Sequence, residues 1–77
     1  MLPNLIILDV LLSGKDGRII CKKLKSQKDT KNIPIIMISA HPNAEKSSIA
    51  VGADDFLAKP FDISLLLKMA KKYLPNK

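Results

Sequence analysis

The chain has 77 residues, which permits one small domain. Hydrophobic residues make up 47% and charged residues 26%, as in an ordinary globular protein, and no apolar stretch approaches the roughly 20 residues that span a bilayer. The net charge of +6 comes mainly from scattered lysines, and because only three aromatic residues could stack on bases, the pattern favours a solvated surface over a nucleic-acid-binding one.

The first predicted element is a strand over residues 4–8. The run Leu5-Ile6-Ile7-Leu8 is continuously apolar, which is typical of a strand buried on both faces of a parallel sheet, and Asp9 follows it directly. Residues 13–17 are rich in turn formers and predict a flexible loop. A helix is predicted from residue 17 or 18 to residue 27, with an apolar stripe formed by Ile20, Cys21 and Leu24.

The remaining elements repeat this strand–helix alternation. A second apolar strand is predicted over residues 33–38, and a short helix over residues 44–51 ends at Gly52. A third strand over residues 55–58 precedes a helix that Asp62 caps and Pro75 ends. Its apolar face is formed by Ile63, Leu66, Leu67, Ala70 and Leu74. The order predicts parallel βαβ units, and therefore an α/β fold with a parallel sheet.

Three polar side chains follow the three strands. Asp9, Ser39 and Lys59 each come where a strand ends. Because parallel strands all end at one edge of the sheet, we expect an acid, a hydroxyl and an amine to meet there. Together they could serve phosphoryl chemistry, and a cis peptide between Lys59 and Pro60 would fix the direction of the lysine.

The sequence resembles the receiver domain of two-component response regulators. The match is carried by the first strand with Asp9, by Asp16-Gly17, by Ile35-Ile36-Met37-Ile38-Ser39-Ala40, and most densely by Gly52-Ala53-Asp54-Asp55-Phe56-Leu57-Ala58-Lys59-Pro60-Phe61. The resemblance implies a flavodoxin-like, doubly wound sheet. Residues 1–77 would form its last three βα units, as a partial receiver domain without an output domain.

The resemblance also implies a role for individual residues. Asp9 would accept a phosphoryl group from the phosphohistidine of a histidine kinase or phosphotransfer protein, and Lys59 would pair with it. Ser39 and Phe56 would be the switch residues, and the backbone carbonyl of Leu11 would ligate Mg²⁺ together with Asp9. The module would signal to a downstream protein target rather than act as an enzyme.

The chain departs from the family pattern in two places. Ser13 stands where the family has proline. The strand, helix and strand with which the family's fold begins, including a pair of Mg²⁺-binding acids, have no counterpart here, so we expect weak or absent Mg²⁺ binding. The strand before Asp9 would then be an open edge, which predicts a homo-oligomer formed through that strand.

Other interpretations stay open at the level of sequence. One is an interaction or dimerisation module that works without phosphate. A nucleic-acid binder is disfavoured by the scattered charge, and a hydrolase with an aspartate nucleophile is disfavoured because Leu11 stands where a second acid is expected. His41 is expected in an exposed loop, and one histidine with one cysteine is too few for a zinc site. The lone Cys21 is expected to be a buried thiol in a cytoplasmic protein.

Overall fold

The computed structural model describes residues 2–74 and contains the predicted strand–helix alternation. The strands and helices follow one another in this order: β1 Ile6–Asp9, β2 Leu11–Leu12, β3 Lys15–Asp16, α1 Gly17–Ser26, β4 Ile35–Ser39, α2 Ala44–Ala50, β5 Asp55–Ala58 and α3 Ile63–Tyr73. The fold is α/β, as the sequence predicts.

A parallel sheet of three strands organises the molecule. The strand order is β1-β4-β5, so β4 is central, and in the described part of the chain β1 is paired on one side only. Asp9 lies beside Ile38 in the register, and Ser39 lies beside Ala58. The carboxyl ends of all three strands therefore meet at one edge, and the strand that carries Asp9 is an edge strand, as predicted.

The core lies on the face of the sheet that α1 and α2 cover. Side chains alternate between faces along a strand, and Leu8, Met37 and Phe56 point to this side. Cys21 of α1 is fully buried against them, which confirms the prediction of a buried thiol. Burial raises the pKa of this thiol and keeps it protonated.

The opposite face is covered only in part by α3. Ile36 and Leu57 are buried there, but Ile7 of β1 is 45% exposed. The described residues of α3 include none that is buried, and Ile63 and Leu67 of its predicted apolar face are 62% and 57% exposed. The last turn of the helix is hydrogen-bonded to the start of β5, and the face beside β1 stays open at Ile7.

The prediction of a flexible loop over residues 13–17 is wrong. β2 and β3 form a small antiparallel hairpin, joined by a turn in which Ser13 and Gly14 have φ angles of 49° and 77°. Positive φ at both central residues is the geometry of a type I′ turn, whose twist suits a two-residue hairpin. The serine that replaces the family's proline thus sits inside a regular turn.

Smaller differences concern the ends of elements. β1 and β4 begin two residues later than predicted and extend through Asp9 and Ser39, because each strand end remains hydrogen-bonded to its neighbour. Asp62 occupies the cap position of α3 without a side-chain hydrogen bond to the helix. The predicted stop at Pro75 lies outside the described residues. No helix within residues 2–74 is long and apolar enough to cross a membrane.

Candidate functional site

The site is built around an ion pair at the carboxyl edge of the sheet. Lys59 Nζ donates to Asp9 Oδ2 at 2.5 Å, which confirms that these two strand ends meet. β4 separates β1 from β5, so the long lysine side chain spans the central strand to reach the acid. The hydrogen bond from Lys59 lowers the pKa of Asp9 below its usual value, outweighing the opposite effect of partial burial.

The second oxygen of the carboxylate is held by the hairpin. Asp9 Oδ1 accepts a hydrogen bond from the backbone N–H of Leu11 at 3.0 Å, which orients the acid from within its own loop. Gly17 closes the hairpin against the backbone of Asp9, where a Cβ atom would overlap the Asp9 carbonyl oxygen. Only glycine allows this approach, and it explains why the helix begins so close to the acid.

Ser39 flanks the ion pair without contacting Asp9 in the hydrogen bonds described. Its side chain is buried, with 3% of the residue exposed, and its Oγ accepts the backbone N–H of His41 at 3.0 Å. Among the hydrogen bonds of residues 2–74 this oxygen accepts but does not donate, so its proton is available to a ligand at this edge. The Ser39 carbonyl accepts the N–H of Lys59 at 2.7 Å and so fixes the backbone from which the lysine extends; the Lys59-Pro60 peptide is cis, as the sequence allows.

Two further sequence-predicted residues lie near this edge. Phe56 is buried on the α1–α2 side of the sheet, with 9% of its surface exposed. His41 is exposed in the loop before α2, as expected. The roles assigned to Phe56 and Ser39 as switch residues remain predictions.

The metal-binding potential of this edge is small in the described residues. Gly17 N–H donates to the Val10 carbonyl, and since bonded and non-bonded pairs alternate in an antiparallel ladder, the Leu11 carbonyl points away from β3 and is open to a ligand. Residues 2–74 contain no group of three or more His, Cys, Asp or Glu side chains close enough to hold an ion. One carboxylate and one carbonyl fall short of the octahedral oxygen shell that Mg²⁺ demands, so the donors present do not fit a resident ion.

Sequence reasoning missed a polar network beside the site. Asp16 caps α1 by accepting the N–H of Arg18 at 2.9 Å, and it also binds the Arg18 guanidinium. The guanidinium in turn donates to Ser47 Oγ on α2 at 2.8 Å. The signal for the cap is an aspartate directly before the first helical residue, but nothing in the sequence indicates a bond across 29 positions.

Comparisons with known proteins give the same family over nearly the whole chain. The family model for the response regulator receiver domain matches residues 1–71. The phosphate regulon regulatory protein PhoB of Rhizobium meliloti is 37% identical over 75 residues, which are 95% of this chain and 33% of PhoB. Response regulator PleD of Caulobacter vibrioides is 40% identical over 67 residues, 84% of this chain and 15% of PleD.

Solved structures agree. The receiver domain of a signal transduction histidine kinase from Syntrophus aciditrophicus superposes with a TM-score of 0.82 at 38% identity, covering 96% of this chain and 58% of that one. The BeF₃-activated receiver domain of RstA from Klebsiella pneumoniae superposes with a TM-score of 0.81 at 29% identity, covering 96% of this chain and 62% of that one. The chain thus spans a third or less of these curated relatives and about three-fifths of these solved domains. On fold and sequence alike, the chain belongs to the response regulator receiver domain family.

Proposed function

We propose that Asp9 accepts a phosphoryl group from the phosphohistidine of a sensor histidine kinase or phosphotransfer protein. The observation that carries this proposal is the ion pair of Asp9 with Lys59 at the carboxyl edge of the sheet. A carboxylate oxygen forms the new P–O bond while the P–N bond to the donor histidine breaks, and the imidazole leaves with the electron pair. The product is an acyl phosphate that a downstream protein target reads.

The electrostatics of the pair support a nucleophilic role. Asp9 is ionised at neutral pH, and because Lys59 lowers its pKa further it stays so in acid; the ionised carboxylate is the state that attacks phosphorus. Lys59 places a positive charge where the equatorial phosphoryl oxygens gain negative charge, and the free hydroxyl proton of Ser39 offers a further donor. The chain would then act as a cytoplasmic signalling module rather than as an enzyme.

Receiver domains bind Mg²⁺ at their phosphorylation site, where the ion offsets phosphoryl charge. We propose that the residues of this chain bind it weakly, because Asp9 and the Leu11 carbonyl are the candidate ligands within residues 2–74. Isothermal titration of the chain with MgCl₂ should show no saturable binding at low millimolar concentration. Tight binding would contradict this part of the proposal.

The test of phosphoryl acceptance uses a small phosphodonor. The chain is incubated with phosphoramidate, with and without MgCl₂, and intact mass is measured before and after hydroxylamine, which cleaves acyl phosphates. We expect a hydroxylamine-sensitive gain of one phosphoryl group that Asp9→Asn abolishes. Asp62→Asn is the matched control, since Asp62 is exposed and makes no side-chain cap bond. Equal labelling of the Asp9→Asn variant, or no labelling of any variant, would refute the assignment.

A second candidate function is self-association through β1, independent of phosphate. It is favoured by the open edge of β1 and by Ile7, which is 45% exposed. Sedimentation velocity over a range of concentrations should then show association that Ile7→Lys abolishes, because a charge on an edge strand blocks pairing. The matched control is Ile19→Lys, at a residue of α1 that is 69% exposed. Concentration-independent sedimentation would exclude this function.

A further inference from the structure

One guanidinium connects the hairpin beside Asp9 to helix α2. Arg18 Nε donates to Asp16 Oδ1 at 2.8 Å and Nη2 donates to Asp16 Oδ2 at 2.7 Å. This two-pronged contact leaves the guanidinium little freedom to rotate, because both carboxylate oxygens are engaged. Nη1, the remaining terminal nitrogen, is therefore held in one direction.

That direction leads to α2. Arg18 Nη1 donates to Ser47 Oγ at 2.8 Å, and Ser47 Oγ donates to the Ala44 carbonyl one turn earlier at 3.0 Å. The serine hydroxyl thus uses its proton within the helix and its lone pair for the arginine. The bond joins α1, which begins at the hairpin, to the middle of α2.

Helix α2 has few other anchors. It has seven residues, and the side chain of its cap residue Asn43 makes no capping hydrogen bond to the helix. Ala44 and Ser48 are its buried residues, and Ser48 Oγ is buried without a hydrogen-bond partner among residues 2–74. A helix held by so little apolar contact belongs to the low-stability part of a fold, so one polar bond changes its position measurably.

The start of α2 is connected to the proposed phosphoryl site by a second path. Ser39 Oγ accepts from the N–H of His41, and the His41 carbonyl accepts from the N–H of Ala44, the first helical residue. A movement of the Ser39 hydroxyl toward a bound phosphoryl group would break or stretch its bond to His41, which connects it to the beginning of α2. The bond to Ser47 resists that displacement from the other side.

We propose that Arg18 is a positioning residue that latches α2 to the hairpin beside Asp9 and thereby sets how strongly a change at Asp9 reaches α2. The regulatory part of this inference rests on the proposed function, because it assumes that Asp9 is where the signal arrives. The latch itself does not depend on phosphorylation and is measurable in the unmodified chain.

Two serine-to-alanine variants in the same helix give opposite expectations. In Ser47→Ala the latch is lost, and we expect the amides of residues 48–52 to exchange hydrogen about threefold faster. Intrinsic propensity alone would slow exchange, since alanine favours helix more than serine does. Ser48→Ala is the matched control: it removes an unpaired buried hydroxyl and should slow exchange at the same amides. Slower exchange in both variants would overturn the latch.

A double-mutant cycle isolates the bond between the two side chains. Arg18→Met keeps the length and helix propensity of the side chain and should speed exchange of α2 about threefold, as Ser47→Ala does. The amides of α2 should exchange no faster in the double variant than in either single variant, because each single substitution already removes the one bond that the two side chains share. A product of the two effects, about ninefold, would mean independent sites and would refute the inference.

Coupling to the site is measured with Asp9→Asn, which keeps the oxygen that Leu11 binds and removes the charge that Lys59 binds. We expect this substitution to change the rate of amide hydrogen exchange in α2 by one factor in the parent chain and by a different factor in the Ser47→Ala variant. An identical factor in both backgrounds would refute coupling. Failure here is distinct from failure of the proposed function, because phosphoryl acceptance is read separately by intact mass.

Discussion

Helix α3 should depend on a polar clamp at its last turn more than on its apolar face. Asp55 Oδ2 accepts from the Tyr73 hydroxyl at 2.9 Å and from Lys72 Nζ at 3.0 Å, and the Tyr73 hydroxyl also lies 3.0 Å from the Asp54 carbonyl. Since the described residues of α3 include none that is buried, these bonds tie the helix to the first residues of β5. Removing the tyrosine hydroxyl should therefore loosen the whole helix.

The two partners of Asp55 should contribute unequally. The Lys72 side chain is 63% exposed, so solvent screens its ion pair and Lys72→Met should leave stability nearly unchanged. The Tyr73 hydroxyl bonds a carboxylate that is only 24% exposed, and a bond of this kind contributes about 1 kcal/mol. Tyr73→Phe should lower the free energy of unfolding by that amount in urea titrations, with loss of protection throughout α3. A larger effect of Lys72→Met than of Tyr73→Phe would refute this reasoning.

The clamp also predicts a pH dependence. Burial alone would raise the pKa of Asp55, but the hydrogen bonds from Lys72, Tyr73 and the backbone N–H of Phe56 prevail and lower that pKa below its ordinary value. A carboxylate with a depressed folded-state pKa adds stability that is fully present above its unfolded pKa and is lost as pH falls through the lower folded value. Urea midpoints should therefore decline below about pH 4. The decline should be shallower in Tyr73→Phe, and an equal slope in both proteins would contradict the assignment.

Three further predictions concern the core and the end of the sheet that lies opposite the ion pair of Asp9 with Lys59. Asp54→Ala should cost about 1.5 kcal/mol in urea titrations, because Asp54 Oδ2 accepts from both Lys25 Nζ and Ile35 N at 2.8 Å; an unchanged midpoint would contradict this. Gly52→Ala should cost about 1–2 kcal/mol, since φ is 105° and the new Cβ would lie 3.0 Å from Lys25 Cγ; wild-type stability would show that the turn relaxes freely. Cys21 should react with a thiol reagent only as fast as the protein unfolds, because it is fully buried; immediate labelling in native buffer would refute its burial.

Much of the fold follows from patterns that the sequence displays directly. The apolar runs ending at Asp9 and Ser39 have the β-rich character of buried parallel strands, and the alternation with helices leaves little choice of topology. The contact between Asp9 and Lys59 follows as well, because parallel strands bring their carboxyl ends to one edge and lysine is long enough to cross a strand.

Other features depend on contacts that no local pattern encodes. Ser13 and Gly14 have the composition of loop residues, whereas in the structure they form the turn of a hairpin that ends where Gly17 packs directly onto the backbone of Asp9. The latch from Arg18 to Ser47 is a tertiary contact between two helices. The position of each residue on its own helix does not indicate which residue of the other helix it will bond. The sequence also predicts an apolar face on α3, but amphipathicity states only that a face is apolar, not that anything covers it.

The ion pair joins the two edge strands of the three-stranded sheet. Among the described residues β1 and β5 each pair with β4 alone, but their cover differs: Ile7 of β1 is 45% exposed, whereas Phe56 and Leu57 of β5 are both buried. The strand that carries the acid is therefore packed less completely than the strand that precedes the amine. Any polypeptide that pairs with the free edge of β1 stabilises the strand and with it the geometry of Asp9.

That dependence must work in both directions. If pairing at the edge of β1 tightens the contact of Asp9 with Lys59, then a ligand that favours the tightened site strengthens pairing at the edge by the same factor, because linked equilibria are reciprocal. Strand pairing at the edge of β1 and ligand binding at Asp9 and Lys59 then report on the same coupled equilibrium.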